Sequence, residues 1–210
     1  MRTPWLTAVL ARGGQVDPGL PWRAGPAESW EDELRRGHVR RVVGDVLVAG
    51  DVGVDAVADA PVRAQALALL LPPRVVLLGV AALWVHLGHP LAAPSVLQVA
   101  GSRSGTTVEV GGLTVQTSRV RPSPGEVSTV GGLRVSTPAR ALLDAATAHP
   151  QRAGRWRSAL TTAGLLDEDA VHDASGAARG RIGVRVARQA LSLPRSAPPR
   201  PVSPSAAATP

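Results

Sequence analysis

Cysteine, lysine, phenylalanine and tyrosine are all missing from the 210 residues, and methionine occurs once. Without cysteine there are no disulfides, thiol nucleophiles or thiolate metal sites, and a reducing cytoplasm is the expected compartment. Without lysine there is no P-loop cation, no Schiff-base nucleophile and no kinase-type phosphate contact, which excludes several large enzyme classes. Aromatic side chains reduce to five tryptophans scattered along the chain. That is no platform for stacking successive bases of a single strand, where each ring contributes about 1–3 kcal/mol. Long apolar runs are also wanting. The most hydrophobic region, residues 62–87, is broken by Arg63, Gln65, Pro72, Pro73 and Arg74. It reads as buried core rather than the roughly 20 apolar residues of a membrane span.

What is present is an arginine surplus. All 23 basic residues are arginine against 16 acids, for a formal charge of +7. Residues 1–60 hold seven arginines and nine acids, residues 61–150 seven and three, and residues 151–210 nine and four. The excess therefore lies in the last two thirds of the chain, where a polyanion could meet it.

Residues 1–27 mix Gly, Pro and Trp without periodicity and read as a poorly ordered lead-in. Ser29 is placed to cap a short helix that opens on Glu31, Asp32 and Glu33 and closes on Arg35, Arg36 and Gly37, the polarity that a helix dipole favours. Two β-prone runs, 38–43 and 46–49, flank Gly44-Asp45, a hairpin turn. Helix followed by basic hairpin is the layout of a wing, so residues 28–50 are expected to form a reduced winged-helix-like segment. Beyond it, an apolar helix over 60–71 stops at Pro72-Pro73, and a second leads into Gly88. The string Val-Gly-Gly-Leu-x-Val-x-Thr occurs at 110–117 and again at 130–137. Two copies are too few for a solenoid, and the reading is two adjacent hairpins of one small antiparallel sheet. Thr137-Pro138 then opens a helix with Leu142 and Leu143 on its buried stripe, and further helices are expected over 153–163, after Asp167, and over 180–193. Six prolines between 194 and 210 mark a disordered tail. The fold class is α+β, with an α+β domain over 51–193.

Candidate chemistry is sparse. His86 and His89 have a ligand-like spacing but no companions, and a hydrogen-bonded core histidine is the simpler reading. The aspartates at 45, 51, 55 and 59 miss the alternation of a calcium loop. Gly101-Ser-Arg-Ser-Gly105 places Arg103 where a nucleophile elbow needs serine. No cofactor, metal or catalytic group is expected. Two arginine sets remain. Arg35, Arg36, Arg40 and Arg41 surround the helix-to-hairpin junction, and Arg181, Arg185 and Arg188 form a basic stripe on the last helix; both are candidate contacts to DNA phosphates.

The segments Ala-Ala-Leu-Trp-Val-His-Leu-Gly (81–88) and Thr-Pro-Ala-Arg-Ala-Leu-Leu-Asp (137–144), in the order helix, basic hairpin, apolar helix, sheet and helix, resemble the AbiEi antitoxin family of type IV toxin–antitoxin systems. The resemblance runs from about Glu28 to Leu191. It implies a cytoplasmic transcriptional regulator whose N-terminal winged helix binds double-stranded DNA at the promoter of its own operon. It implies as well a C-terminal domain that opposes a nucleotidyltransferase-type toxin, directly or indirectly. Relatives often append an endonuclease-like domain resembling very-short-patch repair nucleases near the position of Leu193, where this chain has its proline-rich tail. Arg140 and Asp144 match the family string and, four apart on one helix, can pair. The alternative reading is a non-enzymatic protein-interaction domain, or a remnant of a nuclease fusion, that has lost DNA binding.

Overall fold

A computed structural model of the chain describes residues 20–24, 30–50, 59–101, 105–178 and 180–193. Most of the lead-in, the Ser29 cap, Asp51 and Asp55, Arg103, Arg179 and the tail from 194 lie outside the described residues. The architecture is α+β, as the element pattern indicates.

A short helix α1 (Glu31–Arg35) precedes the hairpin β2 (Val39–Val43) and β3 (Val46–Ala49). Within the stretch read as a lead-in, Trp22–Arg23 forms a strand, β1, that pairs antiparallel with β3 through Trp22 opposite Leu47 and Arg23 opposite Val46. Strand β3 is thus central in a three-stranded sheet, and all four of its residues are buried. That explains why it reads as an unbroken apolar run instead of an alternating one. Trp22 meets Trp30 edge-on with ring centroids 6.3 Å apart, which ties β1 to the start of α1.

Helix α2 (Ala60–Ala68) begins after Asp59 with Pro61 in its first turn, where a missing N–H costs nothing. Strand β4 (Val76–Leu78) runs directly into helix α3 (Gly79–Leu87). Next come β5 (Val96–Ala100), β6 (Thr107–Val110), β7 (Leu113–Ser118), β8 (Val127–Val130) and β9 (Leu133–Ser136). They form a six-stranded sheet in the order β6-β7-β5-β4-β9-β8. It is mixed rather than antiparallel, because β5 pairs parallel with β7 and β4 parallel with β9. The two hairpins that carry the repeated string are not adjacent; they occupy opposite edges, so the pattern of pairings reads the same from either side. In both turns the two glycines have positive φ, the mark of a type I′ turn, which is why Gly-Gly stands at each.

Leu77, Leu97, Val99, Val115, Leu133 and Val135 point from one face of this sheet into the core, while Gln98, Gln116, Arg134 and Thr129 are exposed on the other. Over the apolar face lie α3, against β4, β5 and β9, and α2, against β8 and β9, while α4 (Pro138–Ala148) packs along α3. Thr137 holds the N-cap position of α4, but its side chain makes no capping bond, and Pro138 fixes the first turn instead. Helices α5 (Ala153–Thr162), α6 (Glu168–Ala177) and α7 (Val184–Ala190) pack around α4. Val42, Val43, Val46 and Val48 of the hairpin belong to the same continuous buried cluster as Leu142 and Leu160.

Candidate nucleic-acid interface

The helix-to-hairpin junction holds its four arginines in unlike settings. Arg35 pairs with Asp32 one turn earlier, and Arg36 reaches Glu33 at 3.9 Å. His38 Nδ1 lies 2.8 Å from the same Glu33 carboxylate. Both arginine side chains remain mostly exposed. Such surface pairs contribute about 0–1 kcal/mol, so a phosphate can displace them. Arg40 and Arg41 sit on β2 opposite Val48 and Leu47. Because neighbours on a strand face opposite ways, the two guanidinium groups leave the sheet on different sides. Arg41 is exposed and Arg40 half-buried, and neither has a carboxylate within 4.0 Å among the described residues.

The tip of the hairpin is not a free wing. Gly44 has φ +54°, and the N–H of Asp45 donates to the Gly111 carbonyl at 2.9 Å. Arg23 clamps the Asp45 carboxylate at 2.8 Å from the other strand. A Cβ on Gly44 would stand 2.3 Å from the Gly111 oxygen, so this approach requires glycine. Asp45, expected in the hairpin turn, is therefore also a joint between the small sheet and the β6–β7 turn.

At the other end of the sequence, the expected basic stripe is shorter than its spacing implies. Helix α7 begins at Val184, not Gly180, because Gly183 takes a left-handed φ of +84° and abuts Thr147. Arg181 consequently lies ahead of the helix, half-buried, with one amine 3.5 Å from the Arg121 carbonyl and the other buried without a hydrogen-bond partner. Arg185 is exposed, whereas Arg188 is half-buried near the helix end. Val184 and Ala187 supply the buried face as the periodicity indicates. The structure places Arg35, Arg36, Arg40 and Arg41 on two elements in mutual contact, while α7 packs on α4 and the turn over Pro150–Arg152.

Two further arginines are buried, and Arg140 makes the expected pair with Asp144. The side chain of Arg140 is fully buried and bridges two carboxylates, Glu126 at 2.7 Å and Asp144 at 2.9 Å. Burial opposes its charge, yet the two carboxylates outweigh that and hold its pKa up. Burial would also raise Glu126, but the Ser123 N–H and the Arg140 guanidinium outweigh it and hold this carboxyl below its ordinary range; Asp144, by contrast, is pushed up because burial dominates. Arg63, inside an apolar run, is buried as well. Its Nε and Nη2 donate to the Val85 carbonyl at 3.2 and 2.8 Å, and its guanidinium lies 5.9 Å from the Trp84 ring centroid. The sequence does carry a signal for it: a lone arginine on the apolar face of a helix must find acceptors inside the protein.

His86 is half-buried with Nε2 2.8 Å from the Ser136 carbonyl, a hydrogen-bonded histidine at the border of the core, and burial lowers its pKa. Among the described residues no three His, Asp or Glu side chains converge as a metal would need, and no helix is long and apolar enough to cross a membrane. No family model, curated protein or solved structure matches the chain.

Proposed function

We propose that the protein is a DNA-binding, antitoxin-like transcriptional regulator that holds duplex DNA through backbone phosphates instead of a base-reading helix. The observation that supports this reading is the pair Arg40 and Arg41, without carboxylate partners on β2 among the described residues, beside the weakly paired Arg35 and Arg36 at the end of α1. Helix α1 has only five residues, too few to lie along a major groove, so the contacts it supports are electrostatic and independent of sequence. The contacts themselves fit duplex DNA of any sequence, and the promoter of its own operon and a nucleotidyltransferase-type toxin enter as partners through the resemblance of 81–88 and 137–144. The reading is non-catalytic.

Binding to a duplex from the region upstream of its coding sequence, followed against salt, tests the proposal. Every phosphate-neutralising arginine removed should flatten the log-affinity against log-salt slope by about 0.9, so the exposed Arg41→Ala should reduce it by about 1, and adding Arg40→Ala, on the other side of β2, should bring the change to roughly 2 only if the duplex reaches both sides. Arg185→Ala changes the slope only if α7 also touches DNA. A second reading, a protein-interaction domain without DNA binding, is favoured by the pinned hairpin tip, since a wing that enters a minor groove must have a free end. Absence of binding at low salt retires the first reading, and co-purification with the adjacent gene product then examines the second.

A further inference from the structure

Away from the hairpin, the end of α3, the turn after it and the start of α5 enclose a pocket of about 290 Å³. Its walls are apolar: Leu87, Pro90 and Leu91 on one side, Trp156 and Ala159 on the other. Trp156 is itself almost wholly buried and meets His149 edge-on, with ring centroids 6.1 Å apart. Arg152 and Arg155 complete the lining. Their spacing of three, with Ala159 four further on, puts both guanidinium groups on the face that borders the pocket.

The charge at this place is uncompensated. Neither arginine has a carboxylate within 4.0 Å or another polar partner among the described residues, and no acid lines the pocket. Arg152 is the N-cap of α5 and Arg155 is in its first turn, which contains no acidic residue. Two cations therefore sit at the positive end of a helix, where cations are unfavourable, and an anion would relieve both costs. An apolar pocket with two convergent cations selects a ligand that is apolar at one end and anionic at the other. Serine and threonine are absent from the lining, so the hydroxyl donors common in phosphate sites are not provided. A planar guanidinium fork fits a carboxylate. The volume lies at the lower limit of ordinary ligand pockets, about 300–1,000 Å³, which keeps the ligand small.

We propose that this pocket is a binding site for a small organic acid, its carboxylate held by Arg152 and Arg155 and its apolar body against Trp156, Leu87 and Leu91. The site is separate from the arginines of α1 and β2, and it stands or falls independently of DNA binding.

Titration calorimetry of the full chain at low salt with hexanoate, hexanol and hexyl phosphate tests it. Hexanoate should bind saturably, and hexanol at least ten times more weakly. The double substitution Arg152→Gln/Arg155→Gln, at exposed positions, should weaken hexanoate at least tenfold while leaving thermal unfolding unchanged. Ala159→Leu, which fills the pocket and leaves the charges in place, should weaken it to a similar extent, and Arg185→Gln should have no effect. No saturable binding up to about 20 mM, an affinity below that ordinary for a ligand of this size, overturns the proposal. Equal binding of hexanol, or hexanoate binding unaffected by the double substitution, overturns it as well. Tighter binding of hexyl phosphate overturns the carboxylate assignment.

Discussion

Replacing Arg140 with methionine, which keeps most of the length and volume but removes the guanidinium, should be among the most damaging single changes in the chain. Glu126 and Asp144, with only 12% and 16% of their side chains exposed, would then face each other without a counter-charge. Removing one partner from a buried ion pair costs about 3–5 kcal/mol, because the charge left behind stays desolvated. At this chain length each kcal/mol corresponds to roughly 2–4 °C in Tm, so a fall of about 6–20 °C is expected. Arginine is not perfectly served here, since its second amine is buried without a hydrogen-bond partner. That partial loss, of about 1–3 kcal/mol, reduces the net value of the triad. The triple variant Arg140→Met/Glu126→Gln/Asp144→Asn should accordingly recover much of what the single change loses. Arg140→Lys should not rescue, because one ammonium cannot present the two directed donors that now reach carboxylates on opposite sides. Urea titration of the four proteins supplies the comparison. A cost below about 1 kcal/mol for Arg140→Met would refute the reasoning and show that the two carboxylates are solvated or protonated at neutral pH.

His86 supplies a pH signature. Its folded pKa lies below the ordinary 6.5 through burial, so the unfolded chain takes up the proton first, and stability should be full above 6.5 and decline as pH falls below it. His86→Gln should remove that part of the decline in urea titrations between pH 8 and pH 5.5, both about one unit or more from the ordinary value. Glu126, held below its ordinary range, stabilises above 4.5 and loses its share as pH falls through its lower folded value, so Glu126→Gln should flatten the acid limb. Asp144 acts in the opposite sense, since its raised pKa favours the folded protein once it is protonated. Among the turn glycines, Gly111→Ala and Gly131→Ala should each cost more than Gly112→Ala and Gly132→Ala. All four share positive φ, a penalty of about 1–2 kcal/mol for an L residue, but only the first of each pair would drive a Cβ into a neighbour: within 2.4 Å of the Asp45 carboxylate and of the Pro61 carbonyl. Equal Tm values within each pair would contradict the packing argument.

The parts of the fold that can be read from the chain are those fixed by a few neighbouring residues. Thr137-Pro138 begins a helix because proline is preset for its first turn, and Gly-Gly makes a hairpin because only glycine accepts two consecutive positive φ values cheaply. The pairing of β4 with β9 is not legible, since it depends on which strands meet after the whole sheet collapses, and alternation in Leu133 and Val135 states only that one face is buried. Trp22–Arg23 leaves no signature because two residues carry no period. The site divides in the same way. Arg40 and Arg41 lie on the expected hairpin, but Arg181 falls outside the stripe because a single left-handed glycine delays the helix. Arg152 and Arg155 form no pattern at all: their interest comes from Leu87 and Pro90, more than sixty residues away in the chain, and from the lack of any acid in the pocket lining.

The placement of the two repeated hairpins at opposite edges has a kinetic consequence. Each hairpin is a local structure that can form within microseconds, whereas the parallel pairing that joins the second hairpin to β4 requires Leu77 and Val135, far apart in the chain, to meet. As the polypeptide emerges from its N-terminus, β4 meets β5 early, but its other side waits until the second hairpin has been made. During that interval Leu77 lacks Val135, its partner across the parallel pair, although the Asp45 joint can already close on the Gly111 carbonyl. A nascent chain paused before Leu133 therefore exposes one open edge of a wholly apolar strand, and this is the stage at which the protein is most open to mispairing with a second copy of itself.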